Sequence, residues 1–452
     1  MAIHKPNIGS ETNSLIAAIT SDYNTGYMIG DIKGAFLSDT DTTNVTGTYL
    51  YFTDFSSNDK GFTFADNGSD GVDSGVMTIA NNGSARATDS NALTGVATGT
   101  KLLVKFTVTF GGTGQLNLDD DGSGAGVGGN TNLVIASKSG SGTQTFSAIY
   151  TKTASDRVRF IRSSGGNFQI DNFEMKILPE DDRSVKNNGL AVYGTITKSP
   201  VATGAELVAY SGWSDSNYIQ QPYNSDLDFG SGNWSFNFWV NPNDSSQGSV
   251  LMSRWSKNMD DSTAGRIGIY FNSGNVRFDL TDDGASSYQA ITGTNGIQDT
   301  TGWHMVNILR RGNNAEMWVD GKLDVSTALT STSNGSYTNS NAILEIGDSD
   351  NMGSPDSEIQ LALIRISATA PSAEQIKKMY NEEKCLFHEN AKCTLYGTSN
   401  AVTALAYDDT TNILHVGTSA GRSDFRGLNR INNTTTAVTT AISASNKLVA
   451  EQ

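Results

Sequence analysis

The sequence predicts an all-β protein made of two tandem antiparallel β-sandwiches, and three observations predict it. Short segments that alternate apolar and polar residues recur along most of the chain. Between them lie abundant Gly, Ser, Thr and Asn, with 47 glycines against 7 prolines, the texture of many strands joined by tight turns. Aromatic residues make up 9% and hydrophobic residues 37% of 452 positions, enough for two or three separate cores.

The N-terminal 45 residues contain a helix-capable run, Glu11-Thr-Asn-Ser-Leu-Ile-Ala-Ala-Ile19, and the apolar, turn-punctuated segment Tyr27–Leu37. Two readings of residues 1–45 stand side by side: an anchor docking on a partner subunit, or a strand and cap belonging to the next domain. From Thr46 to Leu178 there is no proline, and strands recur at short spacing, among them Lys101–Phe110, Gln144–Tyr150 and Asn167–Ile177. Residues 46–178 are therefore expected to form the first sandwich. Pro179-Glu-Asp-Asp-Arg-Ser-Val-Lys186 is a charged joint, so residues 179–204 read as a linker with a lead-in strand.

The second sandwich is expected over residues 205–390, and all six tryptophans, Trp213 to Trp318, fall inside it. In Asn233-Trp-Ser-Phe-Asn-Phe-Trp-Val240 the alternation puts Trp234, Phe236 and Phe238 on one face, with Trp239 and Val240 thickening the other. Trp303–Arg310 and Ala315–Val319 form a hairpin around Arg311-Gly-Asn-Asn314, and Asp320-Gly321 closes the next turn. Ala342–Ile346 and Ile359–Ile366 supply further strands before a short helix, Pro371-Ser-Ala-Glu-Gln-Ile-Lys-Lys-Met-Tyr380. Residues 391–452 alternate strand and turn as one propeller blade does. Copies from neighbouring subunits could complete that blade, or its strands extend the second sandwich.

The run Trp-His-Met-Val, Met-Trp-Val-Asp-Gly-Lys, Ile-Gly-Asp and Ser-Ala-Glu-Gln-Ile-Lys-Lys-Met-Tyr, spread over residues 205–384, resembles the concanavalin A-like (laminin G-like, pentraxin-like) jelly roll. Such a resemblance implies a lectin-like sandwich that binds glycans or proteins and less often hydrolyses polysaccharide. The strand ending Phe168-Gln-Ile-Asp-Asn-Phe-Glu-Met175 is similar to the last strand of the galactose-binding-like jelly rolls of carbohydrate-binding modules. The whole layout, two sandwiches in a Gly/Ser/Thr/Asn-rich chain, resembles tail-fibre or appendage adhesins of marine bacteriophages. That resemblance implies a virion location, synthesis in the host cytoplasm and contacts with other virion proteins, while the incomplete blade and the apolar N-terminal run point to a homo-oligomer, with a trimer or higher order expected.

Charge and composition narrow the partners. A net charge of −16 and a pI of about 4.6 repel nucleic-acid phosphates and anionic membrane surfaces. No apolar run reaches the length of a membrane span, and Met1–Pro6 lacks the apolar core of a secretory signal. Cys385, His388 and Cys393 fall short of the four ligands of a structural zinc site, so two buried thiols are expected.

No catalytic set is legible. Gly417-Thr-Ser-Ala-Gly421 matches the serine-elbow pattern, but His415 is the last histidine and no helix start follows, so a strand-end turn is expected. The E-x-D-x-E strand of the superfamily's glucanases is missing, and the strands around Glu345 and Glu358 carry one acid each. Calcium ligation is weighed at Asp348, Asp350 and Asp356 and at Asp119-Asp-Asp-Gly122, against solvated acidic turns. For sugar stacking the choices are Trp255 and Tyr288 in polar loop settings, with Arg254 beside them. The expected function is thus a non-enzymatic adhesin binding host-surface glycans, the alternatives being a capsid or tail decoration protein and a polysaccharide-degrading hydrolase.

Overall fold

The computed structural model describes residues 2–4, 16–56, 61–64, 70–80, 86–120, 132–242, 248–256, 265–282, 287–297, 302–349 and 354–452. Its described elements are strands in antiparallel pairs, apart from the helix Ala373–Glu383 and two short 3-10 turns.

The smaller sandwich spans residues 49–177. One sheet runs in the order Gly142–Thr151, Lys101–Phe110, Phe168–Ile177, Val76–Ile79, Gly71–Asp73, with Tyr49–Thr53 also paired to Phe168–Ile177. The facing sheet runs Asn132–Lys138, Gly114–Asp119, Val158–Gly165, Arg86–Asp89, Thr63–Phe64. Leu102, Val104, Phe106, Val108 and Phe110 alternate inward on the strand Lys101–Phe110, with Lys105, Thr107 and Thr109 between them. Phe106 and Phe173 meet Phe160 edge to face, at ring separations of 5.0 and 5.1 Å. Each such pair contributes about 0.5–1.5 kcal/mol beyond area burial.

The larger sandwich pairs a seven-stranded with a nine-stranded sheet. The first runs Ala191–Tyr193, Tyr218–Gln221, Ala342–Ile346, Val250–Ser256, Arg266–Asn272, Asn275–Thr281, Gln289–Thr292. The second runs Lys322–Ala328, Asn314–Val319, His304–Arg311, Trp234–Asn241, Gln360–Ser367, Val208–Ser211, Thr195–Pro200, Val45–Thr46. Trp234, Phe236 and Phe238 enter the core between the sheets, and Val240 joins them there instead of thickening the opposite face, because strand period two puts even positions together. Trp239 points the other way, stacking on Phe387 at 4.2 Å and donating its indole N–H to Glu383 Oε2 at 2.7 Å.

Residues 16–46 are woven into this larger sandwich, so they belong to a domain of their own chain, though not to the next one in sequence. Ile32–Phe36 pairs with Gln360–Ser367, Val45–Thr46 pairs with Thr195–Pro200, and Phe36 and Leu37 are buried in its core. Ala17–Ile19 is a strand, not a helix, while residues 11–15 of that run lie outside the described residues. The smaller sandwich is thus inserted between two strands of the larger one. In the joint that returns from it, the charged run Pro179–Lys186 forms no strand and the lead-in strands follow. Ala191–Tyr193 and Thr195–Pro200 are strands, and Asp182 accepts hydrogen bonds from the N–H groups of Ala35, Ser184 and Asn188.

The sandwiches meet through Leu103, Ile149 and Leu178 against Ala191, Tyr193 and Tyr218. Lys176 is held there with its Nζ 3.4 Å from the Tyr193 ring centre and 3.9 Å from that of Tyr49, and burial pushes its pKa down to about 8.

The helix Ala373–Glu383 starts with a capping box, in which Ser372 Oγ accepts from Gln375 N–H and Gln375 Oε1 accepts from Ser372 N–H. It lies on the outer face of the nine-stranded sheet. The C-terminal strands Val402–Asp408, Ile413–Thr418, Gly421–Arg426 and Asn429–Asn433 pack beside it through Val416, Phe425 and Leu428. The blade-like tail therefore buries one face on its own chain, sharing a cluster with Leu386, Cys393 and Leu395.

Candidate functional site

The site is built on the outer face of the seven-stranded sheet. In Arg266–Asn272 the apolar Ile267, Ile269 and Phe271 turn to the core, so Arg266, Gly268 and Tyr270 turn out. By the same period Asn275–Thr281 sends Val276, Phe278 and Leu280 in and Arg277, Asp279 and Thr281 out. The register aligns these side chains in rows across the strands. Ser253, Gly268, Asp279 and Ala290 form one row, which continues on the other side through Glu345 and Gln220. Trp255 and Tyr288 fall one step beyond the paired positions on either side of Arg266 and Thr281, and Tyr270 and Arg277 pair on the opposite flank. The stretch Ser253, Gly268, Asp279 and Ala290 therefore runs between Trp255, Arg266 and Tyr288 on one side and Tyr270 and Arg277 on the other.

Guanidinium groups interleave with the aromatic rings. Arg266 lies 4.2 Å from the Trp255 ring centre and 5.7 Å from that of Tyr288, and Arg277 lies 5.3 Å from Tyr270 and 5.9 Å from Tyr288. Arg277 donates from Nε and Nη2 to the two oxygens of Asp279, and Tyr270 Oη donates to Asp279 Oδ2 at 2.8 Å. Burial pulls the Arg277 pKa down, but its hydrogen bonds to Asp279 and that residue's charge outweigh it and hold the guanidinium above its usual range. Burial pushes the Tyr270 hydroxyl well above its ordinary value, with Asp279 adding to the effect. Arg266 donates from Nε to Thr281 Oγ1 at 2.6 Å, and burial lowers its pKa. Tyr288 is 51% exposed, a ring held at the surface by two cations.

Of the residues read from the sequence, Trp255 and Tyr288 are brought together here. Arg254 is not. Strand alternation turns it inward, where it is 1% exposed and donates to the carbonyls of Tyr337 and Asn339 and to the Asp228 carboxylate. It is a structural cation out of reach of any surface ligand. Arg266, Arg277, Tyr270 and Asp279 were missed. Their signal was present in Arg266-Ile-Gly-Ile-Tyr270 and Arg277-Phe-Asp279, where charged residues share the outward period of two adjacent strands.

The acidic loops give no cation cage among the described residues. Asp348 is buried and accepts from Ser349 N–H, Asp356 accepts from Glu358 N–H and Ser249 Oγ, and Asp350 lies outside the described residues. No three His, Cys, Asp or Glu side chains among the described residues converge as metal ligands. Asp119 is paired by both oxygens with Arg159, Asp120 accepts from Tyr150 and Thr153, and residues 121–122 lie outside the description. Cys385 and Cys393 are free thiols whose pKa values burial raises, that of Cys385 to about 11 and that of Cys393 further. Ser419 sits in the turn between Ile413–Thr418 and Gly421–Arg426, while His415 Nδ1 lies 2.6 Å from Asp424 on the neighbouring strand.

The platform therefore lies on one sheet of a Trp-rich antiparallel sandwich. Residues 212–377 match the Concanavalin A-like lectin/glucanases superfamily. All of the platform residues fall within that lectin/glucanase-like region. No curated protein matches the chain. Among solved structures, the receptor-binding domain of botulinum neurotoxin C/D mosaic serotype is 16% identical, covering 52% of this chain and 58% of that one, with a TM-score of 0.37. The binding domain of botulinum neurotoxin DC in complex with rat synaptotagmin II is 17% identical over 54% of this chain and 59% of that one, with a TM-score of 0.36. Domain 4 of an extracellular arabinanase from Geobacillus stearothermophilus, in complex with arabinotriose, is 16% identical over 44% of this chain and 91% of its own, with a TM-score of 0.34. The chain thus spans less than two thirds of the neurotoxin domains it matches.

Proposed function

We propose that this protein is a non-enzymatic glycan-binding adhesin of a bacteriophage virion, and that the outer face of the seven-stranded sheet is its sugar platform. The observation that carries the reading is Tyr288, a half-exposed ring beside two guanidiniums in a lectin/glucanase-like domain. A pyranose offers C–H faces to a ring and hydroxyls to charged donors, and this face supplies both. Trp255 serves as the ring under Arg266, holding the cation in place.

The arrangement of acids supports binding without cleavage. Glu345 and Asp279 share a register row but stand three strands apart, with Ala342–Ile346, Val250–Ser256 and Arg266–Asn272 preceding Asn275–Thr281. At about 4.8 Å per strand that is roughly 14 Å, beyond the about 5–10 Å of paired glycosidase carboxylates. Asp279 is also spent on Arg277 and Tyr270. The virion setting and its neighbouring virion proteins rest on the resemblance of the layout to phage appendage proteins.

Glycan-array binding of the full chain, compared with Tyr288→Ala, tests the proposal. Binding by the native protein that weakens about tenfold in the variant is expected. A native protein that binds no glycan and no host cell would leave a decoration role in its place, and turnover of polysaccharide would overturn the non-enzymatic part.

A further inference from the structure

We infer that the platform selects sugars bearing a carboxylate, through Arg266, and that neutral sugars are its weaker ligands. This deepens the glycan-binding reading and rests on it.

Charge bookkeeping of the face points to an anion. Among the described residues of the face, Arg266 and Arg277 contribute two positive charges against the carboxylate of Asp279, so the described cluster is net positive in a chain whose formal charge is −16. The protein's distant acids do not cancel this, since charges beyond about 8–10 Å are screened at physiological salt. The two arginines are also committed differently. Arg277 spends its fork on Asp279 through Nε and Nη2. Arg266 makes one hydrogen bond, from Nε to Thr281, and its Nη1 and Nη2 donate to no group among the described residues.

A cation without an ion pair in a partly buried place carries a desolvation cost, which shows in the lowered pKa of Arg266. The structure holds it there by packing. Its guanidinium lies over Trp255 and near Tyr288, rings that fix the plane and leave the two terminal nitrogens for a ligand. Two parallel N–H groups in one plane fit the two oxygens of a carboxylate, which is the strongest neutralisation such a group accepts. Tyr288 beside it supplies the ring on which the pyranose that carries this carboxylate stacks. A hexuronic acid and a sialic-acid type sugar share the required chemistry.

The test uses the full-length protein and calorimetric titration with two matched pairs: trigalacturonate against its carboxyl-reduced neutral trimer, and sialyllactose against lactose. The expected result is at least one pair in which the acid binds about tenfold tighter than its neutral partner. Arg266→Gln is expected to bring the two within about twofold by lowering acid affinity alone, while Asp279→Asn, which removes the competing carboxylate, widens the gap. Should Arg266→Gln fail to fold, Asp279→Asn and the salt dependence of the native protein decide the matter. Equal affinity for acid and neutral members, with sugar binding intact, overturns this inference and leaves the lectin reading standing. Retention of the acid preference in Arg266→Gln overturns the assignment to this residue. Absence of binding to all four probes overturns this inference, and only when the glycan array is also blank does the lectin reading fall with it.

Discussion

Glu180 lies in the joint between the sandwiches, and its titration should be visible in the stability of the larger one. Its side chain is buried and accepts hydrogen bonds from Tyr210 Oη, at 3.1 and 3.2 Å to its two oxygens. Burial, with Asp39 adding to it, pushes its pKa up to about 7 from an ordinary 4.5, while Lys198, Tyr210 and Arg183 pull the other way. The native state thus holds the proton more tightly than the unfolded chain. Stability from this group is fully present below pH 4.5 and is lost as pH rises toward 7, where the native carboxyl also ionises. At about 1.4 kcal/mol per pH unit over that window, the loss is roughly 3 kcal/mol. Glu180→Gln keeps an acceptor for Tyr210 but cannot ionise. Urea unfolding followed by tryptophan fluorescence reports the larger sandwich alone, because all six tryptophans lie there. Between pH 4.5 and 7 the native protein should lose stability relative to the variant and then run parallel to it above pH 7. Parallel profiles across the whole range would refute the argument.

Four further outcomes are expected. Glu383→Ala should cost about 3–5 kcal/mol in denaturant unfolding, because it leaves Arg365 without its bidentate partner and Trp239 and the Tyr27 N–H without an acceptor. Arg254→Ala should lower the melting temperature through the same loss of a buried ion pair, with Asp228 left uncompensated, whereas Tyr288→Ala should leave melting unchanged; equal shifts in the two would contradict their placement. A fragment of residues 179–390 should aggregate, since without Ile32–Phe36 it exposes the Gln360–Ser367 edge and the core site of Phe36 and Leu37. A chain in which residues 49–177 are replaced by a short Gly/Ser linker should instead stay free of aggregate and keep the assembly state of the full chain by light scattering, because residues 32–46 complete its core.

Much of the architecture was readable from local pattern. Period-two alternation in Lys101–Phe110 and Trp234–Asn241 reports burial directly, and the capping box at Ser372 and Gln375 marks the helix start. What local pattern does not carry is pairing. Nothing in Ile32-Lys-Gly-Ala-Phe36 says that its partner is Gln360–Ser367, so its place beside that strand was invisible. The site divides in the same way. Tyr288 was legible as an aromatic ring among polar neighbours, but Arg254 and Arg266 are both arginines on strands, and only register decides which faces solvent. A one-residue step separates a structural cation from a candidate ligand.

The insertion of one sandwich into the other has a bearing on synthesis. Thr25 and the Arg365 that donates to its carbonyl stand 340 positions apart, with a whole sandwich spooled out between them. The described strands of residues 49–177 pair among themselves, and this segment can collapse as soon as it leaves the ribosome. The leading strand must meanwhile wait, unpaired, until the distant half of its sheet is translated. A chaperone that shields an apolar N-terminal stretch during that interval would raise the yield of folded protein.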